Sequence, residues 1–254
     1  MRKPTLMVLW EGRGPAVADD ARRLAAFVNG QPKFDPIYES WLRSPKAKKP
    51  VLTLPMSVDQ AGRFLVDNMQ RYDVSNEPWP EIGRYFGAGH ARPPPHDFRE
   101  SSYADTKCSI GGHPVPDPDL PIQNHLEMRL SAIRPSTGRA WTASELRPLM
   151  RFLRELWRPA EMYASMWWAT KHLPEIPNPR FPGATIPLRP YTGWITYLPA
   201  EVASRLRPPE GVHVDPFDDG AVLLTVNEEP FEPTDVEPMA RFKALQEVMR
   251  PFQN

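Results

Sequence analysis

Apolar residues recur at helical spacing in four stretches of this chain and at every second position in one, and these two periods mark out its main elements. Val17, Ala21, Leu24 and Val28 share one helical face ahead of Gly30, a natural C-terminal stop, so a helix is predicted there. Ser57 and Gln60 stand at capping-box spacing and Val58, Ala61, Leu65 and Met69 continue one stripe, which predicts a second. Thr142 and Glu145 repeat that box ahead of Leu146, Leu149, Leu153 and Trp157; Pro148 should kink this third helix, and Pro159 stops it. A fourth opens at Thr234 and Glu237 and runs toward Phe252 with Val236, Ala240, Leu245, Val248 and Met249 inward.

The alternating stretch is 125–134, where Leu126, Met128, Leu130 and Ala132 interleave with His125, Glu127, Arg129 and Ser131, the signature of a half-buried strand. Residues 5–10 read as a buried strand, and 34–43 as extended with Pro36 marking an edge or a bulge. Residues 162–169 and 191–199 read as strands, the latter leading into a short helix at 200–206. Segments 211–215 and 221–228 flank Asp218-Asp219-Gly220, turn chemistry that joins antiparallel strands. Strands and helices in this order predict an α+β fold with a mixed, largely antiparallel sheet and helices packed against it.

Proline changes that picture in one place. Of the 33 prolines, nine punctuate residues 78–121, where periodicity vanishes over a length far beyond an ordinary loop. The expectation is one domain over 1–254 carrying a long Pro-rich insertion at 78–121, with division into two subdomains there as the fallback. Ser44 to Pro50 forms a basic loop.

Charge and cysteine content remove several function classes. With 31 basic and 31 acidic residues, no net field draws the chain to nucleic acid or an anionic membrane. Cys108 is the single cysteine, which excludes an internal disulfide and cysteine-built metal clusters and suits the reducing cytoplasm. The apolar run after Lys3 ends at Glu11, too early for a signal peptide, and no stretch of about 18 uninterrupted apolar residues is present.

Candidate chemistry is sparse. Gly12-Arg13-Gly14 follows a strand and precedes a helix, but the third glycine of a dinucleotide fingerprint would fall at Val17, so a plain turn is the better reading. His213 and Asp215 alternate on one strand near Asp218 and Asp219, the best case for a metal-dependent hydrolase. Against it, Asp218 and Asp219 already serve a turn, and no second histidine stands at ligand spacing. His90, His96 and His113 lie unevenly in the Pro-rich segment and read as surface residues, and Cys108 lacks the surroundings of a nucleophile. The eight tryptophans are core anchors first and contact residues second. These residues predict no enzyme and no cofactor.

The unusual feature is charge segregation. Nine acids fall between Glu210 and Ala240, with no lysine or arginine among them. Asp235 and Glu237 suit a helix start and Asp218-Asp219 a turn. Glu228, Glu229 and Glu232 have no such duty, so Asp215, Asp218, Asp219, Glu228, Glu229 and Glu232 are the candidate partner-binding residues, an acidic face for a basic partner. A merely solvated face stands beside that reading. Between Arg129 and Arg158, seven arginines meet only Glu145 and Glu155. That stretch either pairs with the acids inside the molecule or forms a second contact surface.

At these residues the chain resembles immunity protein family 52 of bacterial polymorphic toxin systems. The likeness is carried by the opening strand and helix, Glu155-Leu156-Trp157-Arg158-Pro159, residues 191–199, residues 211–215, and residues 219–224. The resemblance implies a cytoplasmic immunity protein, linked to type VI secretion, that neutralises a nuclease toxin with a restriction-endonuclease-like fold by covering it or disturbing its assembly. It implies neither direct nucleic-acid contact nor membrane association. An adaptor or chaperone for a secreted effector would use the same binding chemistry.

Overall fold

In the computed structural model the described residues are 4–10, 17–42, 50–67, 75–77, 85–91, 107–112, 124–130, 132–134, 136–166, 168–173, 175–177, 183, 185–187 and 189–253. The elements in chain order are β1 (Pro4–Trp10), α1 (Val17–Gly30), β2 (Ser40–Leu42), β3 (Pro50–Thr53), α2 (Val58–Asp67), β4 (Tyr85–Ala91), β5 (Lys107–Gly112), β6 (Asn124–Arg129), α3 (Ala143–Trp157) and β7 (Glu161–Met166). They continue with β8 (Glu175–Pro177), β9 (Thr185–Pro187), β10 (Ile195–Leu198), α4 (Ala200–Ala203), β11 (His213–Pro216), β12 (Val222–Thr225) and α5 (Val236–Met249).

A ten-stranded sheet in the order β11-β12-β10-β7-β1-β6-β5-β4-β2-β3 organises the fold, and every neighbouring pair is antiparallel. β8 and β9 form a separate pair. The expected α+β architecture with a largely antiparallel sheet is therefore present. Its centre is the apolar run of β1: Leu6 and Val8 sit opposite Met128 and Leu126 on one side and Ala164 and Met162 on the other. All six are essentially inaccessible to solvent. Alternate residues of the same strands, Thr5, Met7, His125, Glu127 and Tyr163, are half-buried on the reverse face.

Helices α1 and α3 cover the apolar face. Phe27 of α1 meets Trp157 of α3 edge-on at 5.2 Å, and Trp10 of β1 lies 5.6 Å from the same ring. The capping boxes form as the sequence predicts: the Ser57 amide donates to Gln60 Oε1 at 2.8 Å and the Thr142 amide to a Glu145 carboxylate oxygen at 3.0 Å. Pro148 does not interrupt α3, because burial of Leu146, Leu149, Met150 and Leu153 outweighs its propensity cost of about 3 kcal/mol. Arg158, in the left-handed region with φ 45°, then closes the helix with its amide on the Arg154 carbonyl at 2.8 Å.

Several expectations are corrected. The Pro-rich segment contains strands β4 and β5, which pair with each other and join β6 to β2. Residues 36–39 form a 3-10 turn rather than extended chain, so only 40–42 is strand. The N-cap of α5 is Asp235 rather than Thr234, and Asp235 accepts the Glu232 amide at 2.9 Å. Met239, Phe242, Leu245 and Met249 then face inward while Val236 is 82% exposed. Val58 is likewise exposed although its helix-mates Ala61 and Leu65 are buried.

Gly193 precedes β10 where a Cβ would lie 2.4 Å from the Ala164 carbonyl oxygen, a contact with backbone that no rotamer relieves. Gly193→Ala should therefore destabilise the fold by about 1–3 kcal/mol, the usual cost of overpacking, read as a lower urea midpoint at unchanged m-value.

Candidate functional site

The acidic segment and the arginine-rich segment meet inside the molecule. On α3, Arg147, Arg151 and Arg154 are three or four residues apart and so share a face. The β11–β12 hairpin lies against that face. Its turn follows the sequence: the Phe217 amide donates to the Ala221 carbonyl at 2.8 Å, and Gly220, with φ 85°, supplies the left-handed residue that the three-residue loop 218–220 requires.

Arg151 grips Asp215 with two hydrogen bonds, Nη2 to Oδ1 at 2.6 Å and Nε to Oδ2 at 3.2 Å, and Nη2 also donates to the Pro216 carbonyl at 2.6 Å. Arg154 pairs with Asp219. Between the two pairs sits Phe217, with the Arg151 and Arg154 guanidinium carbons 4.4 and 4.9 Å from its ring centre and Tyr197 edge-on at 5.9 Å. At the start of α3 the Ser144 amide donates to a Glu228 carboxylate oxygen at 2.9 Å, with Arg147 4.0 Å away. Burial works to raise the Glu228 pKa, but the bonds from Ser144 and the charge of Arg147 outweigh it and hold the carboxyl below the usual range. Glu145 is held low in the same way, against burial, by the Thr142 amide and by Arg134 and Arg139.

Asp215, Asp219 and Glu228 of the six candidate acids thus serve an internal clamp. Asp218 and Glu229 are exposed and form no ion pair among the described residues, and Glu232 lies half-buried ahead of α5. The alternative hydrolase cluster is not assembled: Asp215 and Asp219 point to arginines, and among the described residues no three His, Cys, Asp or Glu side chains converge as metal ligands. His90 stands in β4 opposite Lys107 and Cys108 in β5 opposite Gly89, while His96, His113 and Gly12-Arg13-Gly14 fall outside the described residues. Trp10, Trp41, Trp141, Trp157, Trp168 and Trp194 are buried, so these six are core anchors rather than contact residues.

Sequence reading did not single out Glu161 of β7. It is 6% exposed, and among the described residues its carboxylate receives one hydrogen bond, from the Tyr191 amide at 3.4 Å. Burial raises its pKa, partly opposed by Arg189 and by that amide. The nearby Tyr163 hydroxyl is also pushed up, chiefly by burial, and its ring meets Tyr191 edge-on at 5.2 Å. Strand alternation places Glu161 on the same face as Tyr163, opposite Leu9 of β1, but its near-complete burial is not legible from the sequence.

No protein-family model and no curated protein sequence matches the chain. Among solved structures, the fold is similar to that of the Pseudomonas aeruginosa T6SS protein PA0821, with a TM-score of 0.56 at 12% sequence identity, over 98% of this chain and 73% of that one. Among the described residues no helix is long and apolar enough to cross a membrane.

In a double-mutant cycle, Arg151→Ala and Asp215→Asn should each cost about 1–2 kcal/mol and show a coupling near 1 kcal/mol, a charge-assisted bidentate pair discounted for its partial exposure. Additive losses in urea unfolding would contradict the clamp. Glu161 titrates with the opposite sign to Glu228. Its folded pKa is raised, so its contribution is fully present below the unfolded value of about 4.3 and is lost as pH rises through the folded pKa. Glu161→Gln should therefore raise the melting temperature near neutral pH, with the gain shrinking to nothing below pH ~4.

Proposed function

We propose that this chain is an immunity protein that binds a cognate secreted nuclease toxin and neutralises it in the cytoplasm of the producing cell. The observation that carries the reading is a fold likeness to a T6SS protein over 98% of the chain. The sequence resemblance to immunity protein family 52 points the same way. A toxin that cuts nucleic acid must carry a cationic surface for phosphate, and an acidic face steers association with such a surface and excludes its substrate. In this reading the partner meets Asp218 and Glu229, since Asp215, Asp219 and Glu228 are held by the chain's own Arg151, Arg154 and Ser144. The protein acts by occupying surface, without catalysis or a cofactor, and the partner is a toxin with a restriction-endonuclease-like nuclease domain of type VI secretion.

Co-expression with the nuclease toxin encoded beside this gene tests the proposal. The expected result is survival of the host together with a stable complex that co-purifies. Binding without rescue would assign the chain to effector carriage instead, and absence of both would remove the immunity reading.

A further inference from the structure

The edge of the sheet at β11 narrows where a partner strand can attach. The Phe217–Ala221 bond and the register of β11 on β12 make 213, 215 and 217 the residues whose amides and carbonyls face β12. On the far side of β12, the Val226 amide donates to the Trp194 carbonyl at 3.0 Å, which turns residues 222, 224 and 226 toward β10 and leaves 223 and 225 for β11. Both patterns agree, so Val214 and Pro216 present their backbone groups outward along the free edge.

Pro216 has no amide proton, and its carbonyl already accepts from Arg151 Nη2. Further back, the Val212 amide is taken by the Pro209 carbonyl at 3.2 Å. Continuous strand addition is thereby blocked on both sides. Val214 alone in β11 keeps an outward amide and carbonyl together, and its side chain is 41% exposed, as are those of Val58, Val66 and Val236 to a similar or greater degree. Acids flank it along the chain: Glu210 before the strand and Asp218 after it, both exposed and without an ion pair among the described residues.

We infer that Val214 is a docking point at which a short extended segment of a basic protein partner forms a single β-bridge, with cationic residues at both ends of that segment facing Glu210 and Asp218. This rests on the immunity reading for the identity of the partner, but not for the geometry of the edge. The partner segment is extended because only a strand can use both groups of one edge residue, and basic because both flanking charges are negative.

The test separates the two claims. A synthetic peptide, acetyl-Lys-Lys-Thr-Val-Thr-Lys-Lys-amide, is titrated into the 15N-labelled protein, and the same peptide with glutamate in place of lysine serves as control. Amide shifts centred on residues 212–217, absent with the glutamate peptide and reduced several-fold in Val214→Pro and in the Glu210→Lys, Asp218→Lys double variant, are expected. Equal shifts with both peptides, shifts elsewhere on the sheet, or no shifts at millimolar peptide would overturn the docking point. The charge variant keeps the edge backbone intact, so it remains informative if Val214→Pro fails to fold. Should toxin co-expression rescue succeed while the Val214 and charge variants bind toxin as tightly as the parent, the immunity reading stands and the docking point falls.

Discussion

The hairpin of β11 and β12 depends on the grip that α3 keeps on it. A four-residue edge strand has few backbone bonds of its own, and β11 is paired on one side only, to β12. Here it is fastened by guanidinium groups that bond its carboxylates and stack on Phe217 between them. Because α3 is anchored through Leu146, Leu149, Leu153 and Trp157 in the core, the arginines hold positions set by the buried sheet. The same contact that looks like surface electrostatics therefore transmits the order of β1, β6 and β7 out to the last strand.

That dependence reframes the charge segregation. A segment with nine acids and no base would repel itself if left in solvent, and a helix with its arginines on one face would do the same. Packing one on the other satisfies both and leaves a residue of negative charge on the outer side, at Glu210, Asp218 and Glu229. Complementary charge within the chain thus comes first, and the sign presented to a partner is what remains. Glu161, buried on the reverse face with a long hydrogen bond from the Tyr191 amide, belongs to neither set and opposes stability at neutral pH.

Much of this fold was legible because burial and period coincide. Helix α1 ends at Gly30 as its stripe predicts, and β6 alternates as read, although it ends at Arg129 rather than at 134. Where the reading failed, the cause is local. In α5 Leu245 and Met249 face inward as read, but the first half of the buried face runs through Met239 and Phe242 rather than through Val236 and Ala240, which lie on the solvent side of the helix. In β4 and β5 the strand residues include Gly87, Ala88, Gly89, Gly111 and Gly112, too small to show alternation, and the neighbouring prolines fall outside both strands. Pairing with β6 makes these segments strands, and that is invisible in their own composition. The acids of the candidate site were found by charge alone, but which of them face the protein's own arginines required the register of β11 on β12 and the position of α3.

Native-state hydrogen exchange on the Arg151→Ala, Arg154→Ala double variant is the most direct test of the clamp. The account predicts that the amides of His213, Asp215, Leu223 and Thr225 lose protection together while those of β1, β6 and β7 keep theirs. Unchanged protection in the hairpin, or an equal loss across the whole sheet, would contradict it.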